Sequence, residues 1–152
     1  MKKTILVVAV VLLVILLALF LSWPDVVSGY TEATVVLPDG TELTVEAADT
    51  DVERTQGLSD RPDLGEYNGM LFVYDQADYR TIWMKDMLFS LDVIWLNQGE
   101  IVGWGIGLPA SSSYDPPRSA SPAPADAFLE VPSGFIREHD LKTGDKLDIV
   151  FE

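Results

Sequence analysis

Cysteine is absent from the 152 residues, and histidine occurs once, as His139. Disulfides, thiol chemistry and a lipid-modified cysteine anchor are therefore excluded. A zinc or haem site built from its usual ligands is excluded too. Basic residues are also scarce. Ten Lys and Arg face 24 Asp and Glu, and none lies between Lys3 and Arg54. All the acids but only eight of the basic residues fall within 24–152, so that stretch carries 8 − 24 = −16. Such a surface repels phosphates, and no nucleic-acid partner is expected.

One long apolar run is present. Residues 4–21 are apolar except for Thr4, and 18 residues at helical rise span about 27 Å. Lys2 and Lys3 precede the run and Trp23 follows it. The positive-inside rule then puts the N-terminus in the cytoplasm and the rest outside. The expected organisation is an anchor or signal segment at 1–23, a linker at 24–32 and a domain at 33–152. Partnership with a membrane through 4–21 is expected. The rival is a cleaved signal near Val26-Val27-Ser28, which would release a secreted domain.

The remaining chain reads as mostly β. A hairpin is expected over 33–47, turning at Pro38-Asp39-Gly40. A short helix follows, because Thr50-x-x-Glu53 has capping-box spacing and Gly57 sits where a helix stops. Gly69–Tyr74, Tyr79–Lys85 and Leu91–Leu96 are β-branched and aromatic runs. Asn97–Glu100 is expected to turn the chain into a strand at Ile101–Leu108. In that strand Val102, Trp104, Ile106 and Leu108 are expected as core, opposite bare Gly103, Gly105 and Gly107. Residues 109–126 hold five prolines and read as a structureless loop. A strand at Ala127–Val131, a short helix within Pro132–His139 and a last strand at Lys146–Phe151 complete the chain. About seven or eight short strands with two short helices suggest a small closed or nearly closed β-barrel, preceded by one transmembrane helix.

Several of these residues carry a resemblance. Glu53-Arg54-x-x-Gly57-Leu58, Arg61, Gly69-Met70-Leu71-Phe72-Val73, Trp83-Met84-Lys85, Leu91-Asp92-Val93-Ile94, Phe128-Leu129-Glu130-Val131, Gly134 and Gly144-Asp145 stand in an order that resembles the DUF192 family. The likeness runs from about Val45 to the C-terminus. Ser59, Asp86-Met87 and Ser90 depart from the residues common in the family at those positions. The resemblance implies a compact barrel-like fold, often behind an export or anchor segment, and it implies no activity.

Catalytic candidates are thin, and no catalytic residue, metal or cofactor is expected. Asp49, Asp51 and Glu53 alternate as in a calcium loop, yet its glycine and distal glutamate are missing, and capping explains them. Serines lack a histidine partner, because His139 lies between Glu138 and Asp140 at a helix end. A Ser–Lys pair would need a serine placed against Lys85. Arg61, Trp83, Lys85 and Asp92 form the candidate binding set. Tyr79, Thr81, Trp83 and Lys85 share one strand face, opposite Ile82 and Met84. Asp92 lies in an apolar strand and needs a partner, which Lys85 or Arg61 could supply. A buried ion pair and a polar pocket roofed by Trp83 are both open. Glu130 fits either network or faces solvent. Tyr114 and Arg118 are the contact groups of the Pro-rich loop. A binding or accessory module for an unknown envelope ligand or protein is expected. A hydrolase using a Lys/Arg/Asp pocket, or a partner subunit docking through the loop, are the alternatives.

Overall fold

The structure is a computed structural model and describes residues 31–152. The hairpin forms as β1 (Thr31–Val36) and β2 (Glu42–Ala48), with Gly40 at φ +85° in the turn. Helix α1 (Asp51–Gln56) follows at the expected capping box. The Thr50 hydroxyl accepts the Glu53 amide at 3.3 Å, and Glu53 Oε2 accepts the Thr50 amide at 3.0 Å. These hydrogen bonds hold the Glu53 carboxyl below the usual range, and those from Thr50 are the largest cause. Gly57 ends the helix at φ +48°.

Strands β3 (Gly69–Asp78), β4 (Thr81–Trp83), β5 (Leu91–Asn97) and β6 (Glu100–Leu108) supply the middle of the fold. Gln98 and Gly99, both at positive φ, turn β5 into β6, as a tight hairpin with the native strand twist requires. Strands β7 (Arg118–Ala120) and β8 (Ala125–Pro132), helix α2 (Phe135–Glu138) and β9 (Asp148–Phe151) complete the order. Seven strands form one sheet in the order β6-β5-β8-β3-β2-β1-β9, and β4 pairs with β7 in a second. The β2–β3 pairing is parallel, and α1 lies in that connection.

The expected closed barrel is not formed. Neither sheet closes on itself. The edges β6 and β9 meet only through the residues before β9, where the Ile101 amide reaches the Asp145 carbonyl at 2.8 Å. The bonds to Gly99 and Ile101 come from Gly144, Asp145 and Leu147, before β9 begins, and β9 itself ladders only with β1, so no ladder seals the gap. The expected transmembrane helix is likewise not found among the described residues. No helix among the described residues is long and apolar enough to cross a membrane. The stretch 4–21, and with it the expected anchor, lies outside the described residues.

The large sheet buries both faces. On one, Val45, Leu71, Leu129, Ile94 and Leu96 pack with Ile136 of α2 and Leu147. On the other, Phe72, Phe128 and Trp95 stand directly opposite one another on β3, β8 and β5. Phe72 stacks on Phe128 at 4.3 Å and Trp95 tilts against it at 5.1 Å. Each such pair contributes about 0.5–1.5 kcal/mol beyond its area. Leu58, Ile82, Met84 and Met87 close over this second core.

Two further expectations are overturned. Trp104 and Ile106 are exposed rather than core, because the glycine face of β6 is the covered one. A Cβ on Gly103 would lie 2.3 Å from Pro122 Cγ, and one on Gly105 would lie 2.4 Å from Ser119 Oγ. The covering chain comes from the Pro-rich stretch, whose second half is therefore not structureless. The Met84 amide donates to the Pro117 carbonyl at 2.9 Å, and the Ser121 amide donates to the Arg80 carbonyl at 2.8 Å. Proline removes donors but leaves carbonyls, and those carbonyls accept here.

Candidate functional site

Register puts an acid into the second core. Glu130 stands between Met70 of β3 and Val93 of β5, one rung from the aromatic row. It is 7% exposed. Among the described residues no hydrogen bond or ion pair to its carboxylate is found. Burial alone pushes the carboxyl up to about 8, since an ionised group there loses water and gains no compensating charge. Its signal in the sequence is an acid inside the apolar run Phe128–Val131, the same signal that singles out Asp92.

A cleft of about 100 Å³ lies above Glu130. Its walls include Thr55 and Gln56 of α1, Ser59, Trp83 of β4, Tyr74 and Phe128. Trp83 is half exposed at the mouth. Arg54 also borders the cleft, but three of its five donors are engaged elsewhere. Nη1 donates to the carbonyls of Asp49 and Val73, and Nη2 donates to Asp51 at 2.6 Å. Its guanidinium lies 4.7 Å above the Tyr74 ring, and that of Arg80 lies 3.7 Å above it. Burial, the largest cause, raises the Tyr74 hydroxyl despite these two cations.

The four sequence candidates do not form one constellation. Asp92 is fully buried on the opposite sheet face, level with Val131. Its partners are backbone amides: Gly107 at 2.8 Å, Gly134 at 2.9 Å and Ile136 at 3.3 Å. Lys85 is exposed and lies 3.6 Å from Asp86. The expected Lys85–Asp92 ion pair is thus absent, because Lys85 follows β4 on the outer layer while Asp92 points through the sheet. Arg61 pairs with Glu46 of β2. Trp83 and Lys85 do come together, with Nζ 5.7 Å from the ring, and Arg118 joins them at 5.6 Å. Tyr114, the other loop residue, is fully exposed. His139 meets Asp39 at 3.3 Å on the surface. No group of three metal-ligating side chains is found among the described residues.

A family model described as "Uncharacterized ACR, COG1430" matches residues 34–149, most of the chain. The chain belongs to the DUF192 family. The resemblance read from its motifs is thereby shown, and it covers both the aromatic row and Glu130. Two solved structures are similar to this DUF192 domain. One is a Sinorhizobium meliloti 1021 protein suggested to be a transcription regulator, 26% identical, with a TM-score of 0.66 over 78% of this chain and 92% of that one. The other is a Novosphingobium aromaticivorans DSM 12444 protein of unknown function, 29% identical. It has a TM-score of 0.66 over 82% of this chain and 89% of that one. A search of curated proteins finds no match.

Proposed function

We propose that this DUF192 domain is a non-catalytic binding module on the outer face of a cell membrane, with the Glu130 cleft as its ligand site. One observation carries the reading. Glu130 is a buried carboxyl with no partner among the described residues, standing in a cleft that opens beside a half-exposed tryptophan. An unpaired buried acid destabilises the fold, so its position calls for a function. The outer placement is supported by the sequence alone: Lys2 and Lys3 before residues 4–21, and no basic residue before Arg54.

The geometry disfavours the hydrolase alternative in its expected form, because Arg61, Lys85 and Asp92 lie on separate parts of the fold. Glu130 is moreover the only acid on the described walls of the cleft. Glycoside chemistry with two facing carboxyl groups lacks its second member there. The suggested regulatory role of the Sinorhizobium relative does not transfer easily to DNA. Residues 31–152 carry 8 − 23 = −15, and phosphate contacts need the opposite sign.

Thermal-shift screening of the full chain tests the reading. A compound bound in the cleft at 100 times its Kd adds about 3 kcal/mol to stability and raises Tm. The rise should be lost in Trp83→Ala and in Glu130→Gln. A ligand whose shift survives both substitutions binds elsewhere and refutes the assignment of the site.

A further inference from the structure

The walls of the cleft differ in what they still offer. The Thr55 hydroxyl donates its proton to the Asp51 carbonyl at 2.6 Å, and the Ser59 hydroxyl donates to the Lys85 carbonyl at 2.9 Å. Gln56 donates from its amide nitrogen to the Ser59 carbonyl at 3.2 Å. The Thr55 and Ser59 hydroxyls have spent their donors and keep an oxygen acceptor, while Gln56 keeps its amide oxygen and one of its two amide protons. Arg54, the one cation on the walls, has three of its five donors on Asp49, Val73 and Asp51. Glu130 adds two carboxyl oxygens without a partner among the described residues. Of the lining rings, Tyr74 already lies under Arg54 and Arg80 and Phe72 is stacked on Phe128, which leaves half-exposed Trp83 as the ring open to a cation. Glu130, Thr55 and Ser59 thus leave acceptor oxygens in the cleft to which no donor among the described residues is bonded.

From this inventory we infer that the cleft receives a protonated primary amine, whose ammonium is held by the Glu130 carboxylate, the oxygens of Thr55, Gln56 and Ser59, and the Trp83 ring. The inference rests on the reading of the cleft as a ligand site. An ammonium has three donors and no acceptor, which complements the walls. A cavity of about 100 Å³ is smaller than the roughly 150 Å³ that holds benzene, so it admits only a few heavy atoms. The amine is therefore either a small free molecule or the tip of a longer chain entering past Trp83. The net charge of −15 on residues 31–152 favours cations over anions at any such mouth.

Binding is coupled to a proton. The charged and titratable groups on the cleft walls besides Glu130 are Arg54 from α1 and Tyr74 from β3; β4 contributes Thr81, Ile82 and Trp83, and the turn after α1 contributes Gly57, Leu58 and Ser59. On β5 the residue facing Glu130 is Val93. Among the described wall groups none holds the Glu130 carboxylate ionised in the empty cleft, and an arriving ammonium does so. With the carboxyl at about 8 when empty, binding at pH 7 releases about 0.9 proton.

The test is an NMR titration of the purified full chain with methylammonium, at constant ionic strength and at pH 6, 7 and 8. The expected result is a shift at the Trp83 indole and apparent affinity rising about tenfold from pH 6 to 7. Glu130→Gln should weaken binding at least tenfold and flatten the pH profile. Thr55→Val, which keeps the shape of the wall, should weaken it several-fold and serves if Glu130→Gln does not fold. An acetylated lysine amide distinguishes the two sources: tighter binding than methylammonium indicates a chain-borne amine, and weaker binding a free one. Methylammonium that binds Glu130→Gln as well as the native chain overturns the inference. Binding of neutral acetamide in place of methylammonium overturns the amine while leaving the cleft as the site. Failure of every compound in the thermal-shift screen overturns the cleft itself.

Discussion

Asp92 Oδ2 accepts the amide of Gly134 at 2.9 Å, joining residues 42 positions apart through the middle of the sheet. The same carboxylate takes the Ile136 amide at 3.3 Å, and its other oxygen takes the Gly107 amide at 2.8 Å. Gly107 and Gly134 present these amides at φ +63° and +101°, conformations that a side chain would oppose. Asp92 thus fixes the end of β6 and the entry to α2 against β5.

Removing that carboxylate leaves three backbone donors without their acceptor. A buried orphan costs about 1–3 kcal/mol, and of the three only the Ile136 amide is in a fully buried bond, so Asp92→Leu should lose at least about 1–3 kcal/mol or fail to fold. Asp92→Asn keeps one acceptor and should lose less. Urea unfolding of both variants measures this, and a native midpoint for Asp92→Leu would show that the three amides find other partners.

Lys85 should behave in the opposite way. A buried Lys85–Asp92 pair would make Lys85→Met cost about 3–5 kcal/mol. With Lys85 exposed beside Asp86 at 3.6 Å, the same substitution should change stability by no more than about 1 kcal/mol. An unchanged urea midpoint is the expected outcome. A large loss would mean that the lysine reaches a buried carboxylate after all.

The glycine face of β6 supplies a third expectation. A Cβ on Gly103 meets the Pro122 ring at 2.3 Å, and a proline ring cannot swing aside. Gly103→Ala should cost about 1–3 kcal/mol through displacement of the covering chain. The substitution should also open the 117–122 segment to protease, which the native chain resists through the Met84–Pro117 and Ser121–Arg80 hydrogen bonds. Equal cleavage of native and variant chains would show that this cover is not docked.

These cases mark what the sequence makes legible. The hairpin at 31–48 and the capping box at Thr50 and Glu53 are local, and turn chemistry and side-chain spacing specify them directly. The alternation of Ile82 and Met84 inward against Trp83 and Lys85 outward is equally local. The glycines of β6 announce a close approach, but which face is covered depends on Pro122, some 20 residues away. The partners of Asp92 are backbone amides, which no residue code spells out. Barrel closure turns on whether β6 and β9 pair, a long-range matter that strand propensity leaves undetermined. Glu130 is legible as an acid in an apolar strand, whereas its lack of a partner follows from the register of β3, β8 and β5.

The pH dependence of stability is set in part by Glu130, and its sign is opposite to that of the capping glutamate. The unfolded carboxyl titrates near 4.5, and burial raises the folded one to about 8. Between those values the folded chain holds a proton that the unfolded chain has lost, so stability falls as pH rises through the window. A difference of about 3.5 units corresponds to up to about 5 kcal/mol, fully lost above pH 8. Glu53, lowered first by its bond to Thr50, instead loses stability as pH falls below the ordinary carboxylate range. Subtracting the curves of native chain and Glu130→Gln cancels such background, because both keep the cap. The variant should match the native chain within about 1 kcal/mol at pH 4.5, where Glu130 is neutral in the fold. At pH 8 it should be more stable by several kcal/mol, with the difference growing steadily between. Urea midpoints across pH 4.5–8.5 measure it. A flat difference would place water or a partner on the Glu130 carboxylate and remove the physical basis for an ammonium site there.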